Sequence, residues 1–128
     1  MSIEVRATDQ ATILDLTEDL IAPAHEEDLK EAIEKLLEGD PPNVLVNFGN
    51  IQFFKPWKRL AHYAPEFRHH GKEIKVFGLT PQLKKHFGEV MHLSDVIESY
   101  ETEEEALDSF TDNVSQVERN ILFGKLKS

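Results

Sequence analysis

The sequence contains no cysteine. That absence excludes disulfides, thiolate zinc sites and cysteine nucleophiles. Long apolar runs are missing too, since no stretch approaches the roughly 18 residues that a membrane span needs. The opening residues MSIEVRATDQ carry acids and have no apolar core. They do not read as a signal peptide, and a cytoplasmic location is expected. The six glycines are dispersed. No GxGxxG or Walker sequence cradles a phosphate, and no GxSxG elbow presents a nucleophile.

What remains is the composition of one soluble domain. The chain has 128 residues, 40% of them hydrophobic and 30% charged, enough for a core that needs no staples. The net charge of −10 opposes wholesale binding to nucleic acid or to an anionic membrane surface. It is spread unevenly. From Lys55 to Lys85 eight Lys or Arg face two acids, Glu66 and Glu73, so that this stretch carries +6 and the rest −16. A basic middle between acidic ends reads either as solvated helix faces or as a surface that steers an acidic partner.

Chemistry-bearing residues do not converge. The six histidines are His25, His62, His69, His70, His86 and His92, and their spacing lacks the i, i+3 or i, i+4 pairs of a helical metal site. They read as surface residues. Glu26-Glu27-Asp28 and Glu103-Glu104-Glu105 each begin a helical stretch, where the helix dipole favours negative charge. Neither run makes a carboxylate pair in a cleft. No catalytic residue, metal ligand or cofactor is assigned, and a non-enzymatic protein is expected.

Hydrophobic periodicity gives the elements. Residues 3–7 and 11–16 read as two strands around the polar Thr8-Asp9-Gln10, a hairpin. Leu29, Ala32, Ile33, Leu36 and Leu37 mark one face of a helix, begun at Pro23 and ended by Gly39 with Pro41-Pro42 behind it. NVLVNF over 43–48 is a buried strand. A second helix opens at Pro56 with Leu60, Tyr63, Ala64 and Phe67 inward, and Pro65 predicts that it is distorted or shortened. EIKVF over 73–77 is a strand, Thr80-Pro81 starts a short helix ending near Gly88, and DVIES over 95–99 is a last strand. Thr102 and Glu105 form a capping box for a final helix. Its stripe Leu107, Phe110, Val114, Val117, Ile121 has heptad-like spacing. That stripe either packs on the domain's own sheet or, through its distal half, makes a homodimer seam or docks to a partner. The order ββαβαβαβα predicts an α/β domain whose mostly parallel sheet of about five strands has an antiparallel edge hairpin and about four helices. The domain is expected over 1–111, with 112–128 an extension of the last helix and tail.

Over roughly Ala11 to Phe110 this layout resembles the STAS domain of anti-sigma factor antagonists, stressosome proteins and sulfate-transporter tails. The resemblance is carried by ATILDLTEDLIAPAHEEDLKEAI, NVLVNFGNIQFF, HGKEIKVFGLTPQLKKHF and VIESYETEEEAL, which are similar to successive strand and helix segments of that family. It implies a regulatory, protein-binding module. The family's Asp-Ser-Ser/Thr-Gly switch, phosphorylated by a kinase-type partner, follows the segment matched here by IQFF. This chain instead has Lys55-Pro56-Trp57-Lys58, so the phosphosite is not carried over. The expected partner is a kinase-like anti-sigma protein or another regulatory protein. Its expected contacts are Lys55, Pro56, Trp57, Lys58, Arg59 and Thr80. Trp57 reads either as an exposed interface anchor, with Lys55, Lys58 and Arg59 as a basic rim, or as a core residue folded back with Phe53 and Phe54. A small molecule or anion held near Pro56–Arg59 and Thr80 is the alternative function.

Overall fold

The computed structural model describes residues 2–110. Strands β1 (Ile3–Ala7) and β2 (Thr12–Leu16) form the expected hairpin. The Thr8 hydroxyl closes it, donating to the Ala11 carbonyl at 2.8 Å and accepting the Ala11 N–H at 3.1 Å. Next come α1 (Pro23–Leu37), β3 (Val44–Asn47), α2 (Trp57–His69), β4 (Ile74–Phe77), α3 (Pro81–Lys85) and β5 (Ser99–Tyr100). A helix, α4, is described from 103 to 110. The sheet order is β1-β2-β3-β4-β5, with every pairing parallel except the opening hairpin. No helix among the described residues is long and apolar enough to cross a membrane. The proposed 112–128 extension, with Val114, Val117 and Ile121, lies outside the described residues.

Alternation along the strands divides the core. Leu14, Leu16, Val44, Val46, Ile74 and Val76 face the large cluster that receives α1, α2 and α3. Ile13, Leu45 and Phe77 face the other way and meet Ala106 and Phe110 of α4. Three helices thus cover one face of the sheet and α4 covers the other.

Local chemistry sets the helix ends. Pro23 opens α1, and Gly39 follows it at φ +73°. His25, expected to be a plain surface histidine, caps this helix. Its Nδ1 accepts the N–H groups of Ile21 (3.3 Å) and Ala22 (3.2 Å), while Nε2 lies 2.9 Å from Glu18. The Gly71 N–H donates to Arg68 and the Lys72 N–H to Phe67, each at 2.9 Å, which closes α2 in a Schellman motif around Gly71 at φ +75°.

Three local expectations are corrected. Helix α2 is not shortened by Pro65 but runs through it to His69. Pro65 is exposed, whereas Leu60, Tyr63, Ala64 and Phe67 are buried on either side of it. Each large apolar side chain contributes roughly 1.5–3 kcal/mol on burial, which together outweighs the ~3 kcal/mol of an interior proline. The last strand is not 95–99. Leu93–Asp95 is a 3₁₀ turn that buries Leu93 and, four residues on, Ile97. Pairing then begins only at Ser99 and Tyr100. Regular α3 stops at Lys85, and a π-helical turn over His86–Val90 carries Phe87 into the core.

Candidate functional site

The loop from β3 to α2 is tied down before it reaches the helix. The Asp19 carboxylate accepts the N–H groups of Gln52 (2.8 Å) and Phe53 (3.2 Å). Leu20 and Phe54 form an isolated parallel bridge: the Leu20 N–H donates to Phe53 at 3.1 Å and the Lys55 N–H to Leu20 at 2.8 Å. This short piece of extended pairing fixes which side chains face inward. Adjacent residues in an extended segment point to opposite sides. Leu20 and Phe54 are therefore buried, while their neighbours Ile21 and Phe53 are 50% and 48% exposed.

Trp57 is core. It is 2% exposed, which overturns the exposed-anchor reading and removes Trp57 from the expected contact set. Aromatic packing is the cause. Its ring lies near-parallel to Phe48 at 5.6 Å and to His86 at 5.9 Å, and edge-on to Phe54 at 4.6 Å. Contacts of this kind add to area burial. The indole N–H is buried with no hydrogen-bond partner among the described residues.

The other expected contacts scatter. Lys55 and Lys58 are exposed at the head of α2, but Pro56 is buried. Arg59 is half-buried and bonds Glu26 of α1 through Nε at 3.1 Å, a brace between helices. The Thr80 hydroxyl accepts the Leu83 N–H at 3.2 Å and so caps α3. Of the six residues, Lys55 and Lys58 alone present exposed side chains.

Ile21 and Leu83, which the expected contact set does not include, and Phe53, read with Trp57 as a core candidate, complete the surface. A cavity of about 240 Å³ opens beyond the carboxyl ends of β2, β3 and β4. Ile21 lines it from the first loop, Phe53, Phe54, Lys55 and Trp57 from the second, and Leu83 and His86 from α3 and the turn after it. The alternation across Leu20-Ile21 and Phe53-Phe54 was the signal that could have found the exposed pair.

A second charged group lies elsewhere. At the sheet's edge Arg6 binds Asp15 through Nε at 2.5 Å and also pairs with Glu103 of α4. Asn47 donates to Asp15 at 2.8 Å. Chiefly through the Arg6 hydrogen bond, and against the effect of burial, the Asp15 carboxyl is held below its ordinary range. This network is structural: Arg6 joins the hairpin to α4. Among the described residues no three His, Asp or Glu side chains are grouped to hold a metal ion.

No family model and no curated protein matches the sequence. Solved structures do match. A Thermotoga maritima protein assigned as an anti-sigma factor antagonist superposes with TM-score 0.74 at 11% identity, over 85% of this chain and 94% of its own. The chain has the STAS fold. An anti-sigma-factor antagonist (STAS) domain protein from Planctomyces limnophilus gives TM-score 0.71 at 18% identity, over 85% and 97% of the two chains. Unphosphorylated SpoIIAA, an anti-sigma factor antagonist, gives 0.67 at 17%, over 84% and 96%. The STAS fold puts the carboxyl ends of the parallel strands, the loop Gly49–Pro56 and the start of α2 on one surface, where the Ile21–Phe53 cavity opens.

Proposed function

We propose that this STAS-fold chain is a regulatory protein-interaction module that binds its partner through the exposed head of α2 and the loop before it, without serine phosphorylation control. One observation carries the reading. Ile21 and Phe53, two large apolar side chains half-open to solvent, stand together on one cavity beside the exposed Lys55. An apolar patch rimmed by charge is the usual form of a contact surface. The structural neighbours named as anti-sigma factor antagonists support a regulatory role. From Phe48 to His62 the chain has no Ser, Thr or Tyr, so this surface offers no hydroxyl to phosphorylate. Regulation here acts by stoichiometric binding, and its basic rim selects an acidic face on the partner. The test is capture from native lysate on the immobilised protein, set against the variant Phe53→Asp/Lys58→Glu with its fold checked by circular dichroism. A protein held by the natural chain and lost by the variant is expected. A partner that the variant retains, or no recovered partner, overturns the reading.

A further inference from the structure

Strand β1 is one edge of the sheet, with β2 on its inner side and no strand beyond it among the described residues. The opposite edge, β5, is two residues long. A five-residue edge such as β1 leaves main-chain groups open to pairing with another strand. The hairpin shows which groups these are. Along an antiparallel ladder, hydrogen-bonded and non-hydrogen-bonded pairs alternate. The Thr17 N–H donates to Ser2 and the Thr8 N–H to Ala11, each at 2.9 Å. Both ends of the register thus put Ser2, Glu4, Arg6 and Thr8 in the bonded pairs. The N–H and C=O groups of Ile3, Val5 and Ala7 therefore point outward.

The side chains on this edge suit a second strand better than solvent. Val5 is 56% exposed. Glu4 lies opposite Asp15 in the hairpin, acid against acid, an unfavourable cross-strand pair. No ion pair reaches Glu4 among the described residues. Arg6 shares its face two residues on, but four of the five guanidinium N–H groups go to Asp15 and Glu103. Glu4 is exposed, and the Arg6 side chain is half-open to solvent.

We propose that β1 pairs antiparallel with β1 of a second copy of this chain, about a two-fold axis at Val5, so that two sheets become one. The segment Ile3-Glu4-Val5-Arg6-Ala7 matches itself in that register. Val5 exchanges two main-chain hydrogen bonds with the partner's Val5, and Ile3 exchanges two with the partner's Ala7 at each end. Every one of them uses an outward-pointing group. Glu4 then stands opposite the partner's Arg6 in a non-hydrogen-bonded pair, where Cα atoms approach to about 4.5 Å. A slip of two residues keeps the hydrogen-bond phase but sets Glu4 against the partner's Glu4, or Arg6 against the partner's Arg6. The charges therefore fix the register. Two chains of net charge −10 repel, so self-association needs such a local match. This edge is separate from the Ile21–Phe53 cavity, and the inference does not rest on the protein-partner reading.

A single short edge is a small interface, and a weak dimer with Kd near ~50 µM is expected. Sedimentation equilibrium on the full-length protein measures it, and the amides of ¹⁵N-labelled protein locate it. The Val5 and Ala7 amides should exchange with water about threefold more slowly at ~1 mM chain than at ~50 µM, as that Kd implies. Val5→Pro removes an outward N–H that the hairpin does not use, a change that an edge strand tolerates. Glu4→Arg sets arginine against arginine across the axis and keeps the Arg6 contacts to Asp15 and Glu103. Each variant should weaken the dimer at least about tenfold. The thermal midpoint of Glu4→Arg, read in dilute solution, should stay at or above that of the natural chain. If Val5→Pro fails to fold, Glu4→Arg carries the test. Full-length protein that is monomeric at ~1 mM, or a dimer whose Kd Glu4→Arg leaves unchanged, overturns the proposal. So does a dimer in which Val5 and Ala7 exchange independently of concentration, because its contact lies elsewhere. Lysate capture is read separately, so either proposal can fail while the other stands.

Discussion

Asp15 receives two guanidinium hydrogen bonds from Arg6, at 2.5 and 3.1 Å, and a third from Asn47 at 2.8 Å. Those donors favour its charged form, and its pKa falls below the ordinary value. A carboxyl depressed in the folded state stabilises the protein above its unfolded pKa, near ~3.9, and the contribution is lost as pH falls through the lower folded value. Asp15→Asn is therefore expected to cost about 1 kcal/mol at neutral pH, a figure discounted because the guanidinium is half-open to solvent. The gap between variant and natural protein should shrink when the pH is taken from neutral to below the ordinary carboxylate value. Urea denaturation at the two pH values measures it, and a gap independent of pH would show that the Asp15 charge contributes nothing.

Lys75 lies in the middle of β4, its side chain wholly buried beneath α4. Its ammonium donates to Ser109 at 2.9 Å, sits 4.6 Å above the Phe110 ring and reaches Glu98 at 3.4 Å. Most of what it supplies to the joint between sheet and helix is packing, since a buried charge gives back in attraction little more than it loses in hydration. Lys75→Met is expected to match the natural stability within about 1 kcal/mol. Lys75→Ala leaves a void under α4 and should lose about 2–4 kcal/mol. Equal losses in both variants, read by chemical denaturation, would mean that the charge and not the stem holds α4. In the sequence Lys75 was one cation of a basic stretch, because alternation within EIKVF does not say that a helix from thirty residues later covers that face. The same limit runs through the other elements. Helix α1 was legible with both ends, since proline, glycine and a three-four apolar spacing act locally. Pro65 and the last strand were misread because packing of Tyr63 and Phe67, and of Leu93 and Ile97, overrode the local signal. Nor were the faces of the loop before α2 legible: Trp57 turns inward, and Ile21 and Phe53 are the exposed apolar side chains.

At the scale of the whole molecule, the described residues form two hydrophobic clusters. The large one runs from Ile3 to Ile97, and the smaller one includes Ala106 and Phe110 of α4. Leu107 and Phe110, the first two members of the heptad-like stripe, pack on the sheet of their own domain. The seam proposed between copies rests on Val114, Val117 and Ile121, which lie outside the described residues. A chain ending at Phe110 is expected to unfold in one cooperative transition, with a midpoint within about 4 °C of the full-length protein, a shift that corresponds to roughly 1 kcal/mol or less. Light scattering then separates the two roles of the stripe. A dimeric full-length protein that becomes monomeric on truncation, with its midpoint kept at matched concentration, assigns the distal residues to association. Full-length protein already monomeric at high concentration removes the seam. Loss of the cooperative transition on truncation would instead make 111–128 part of the fold, and would move the domain boundary beyond Phe110.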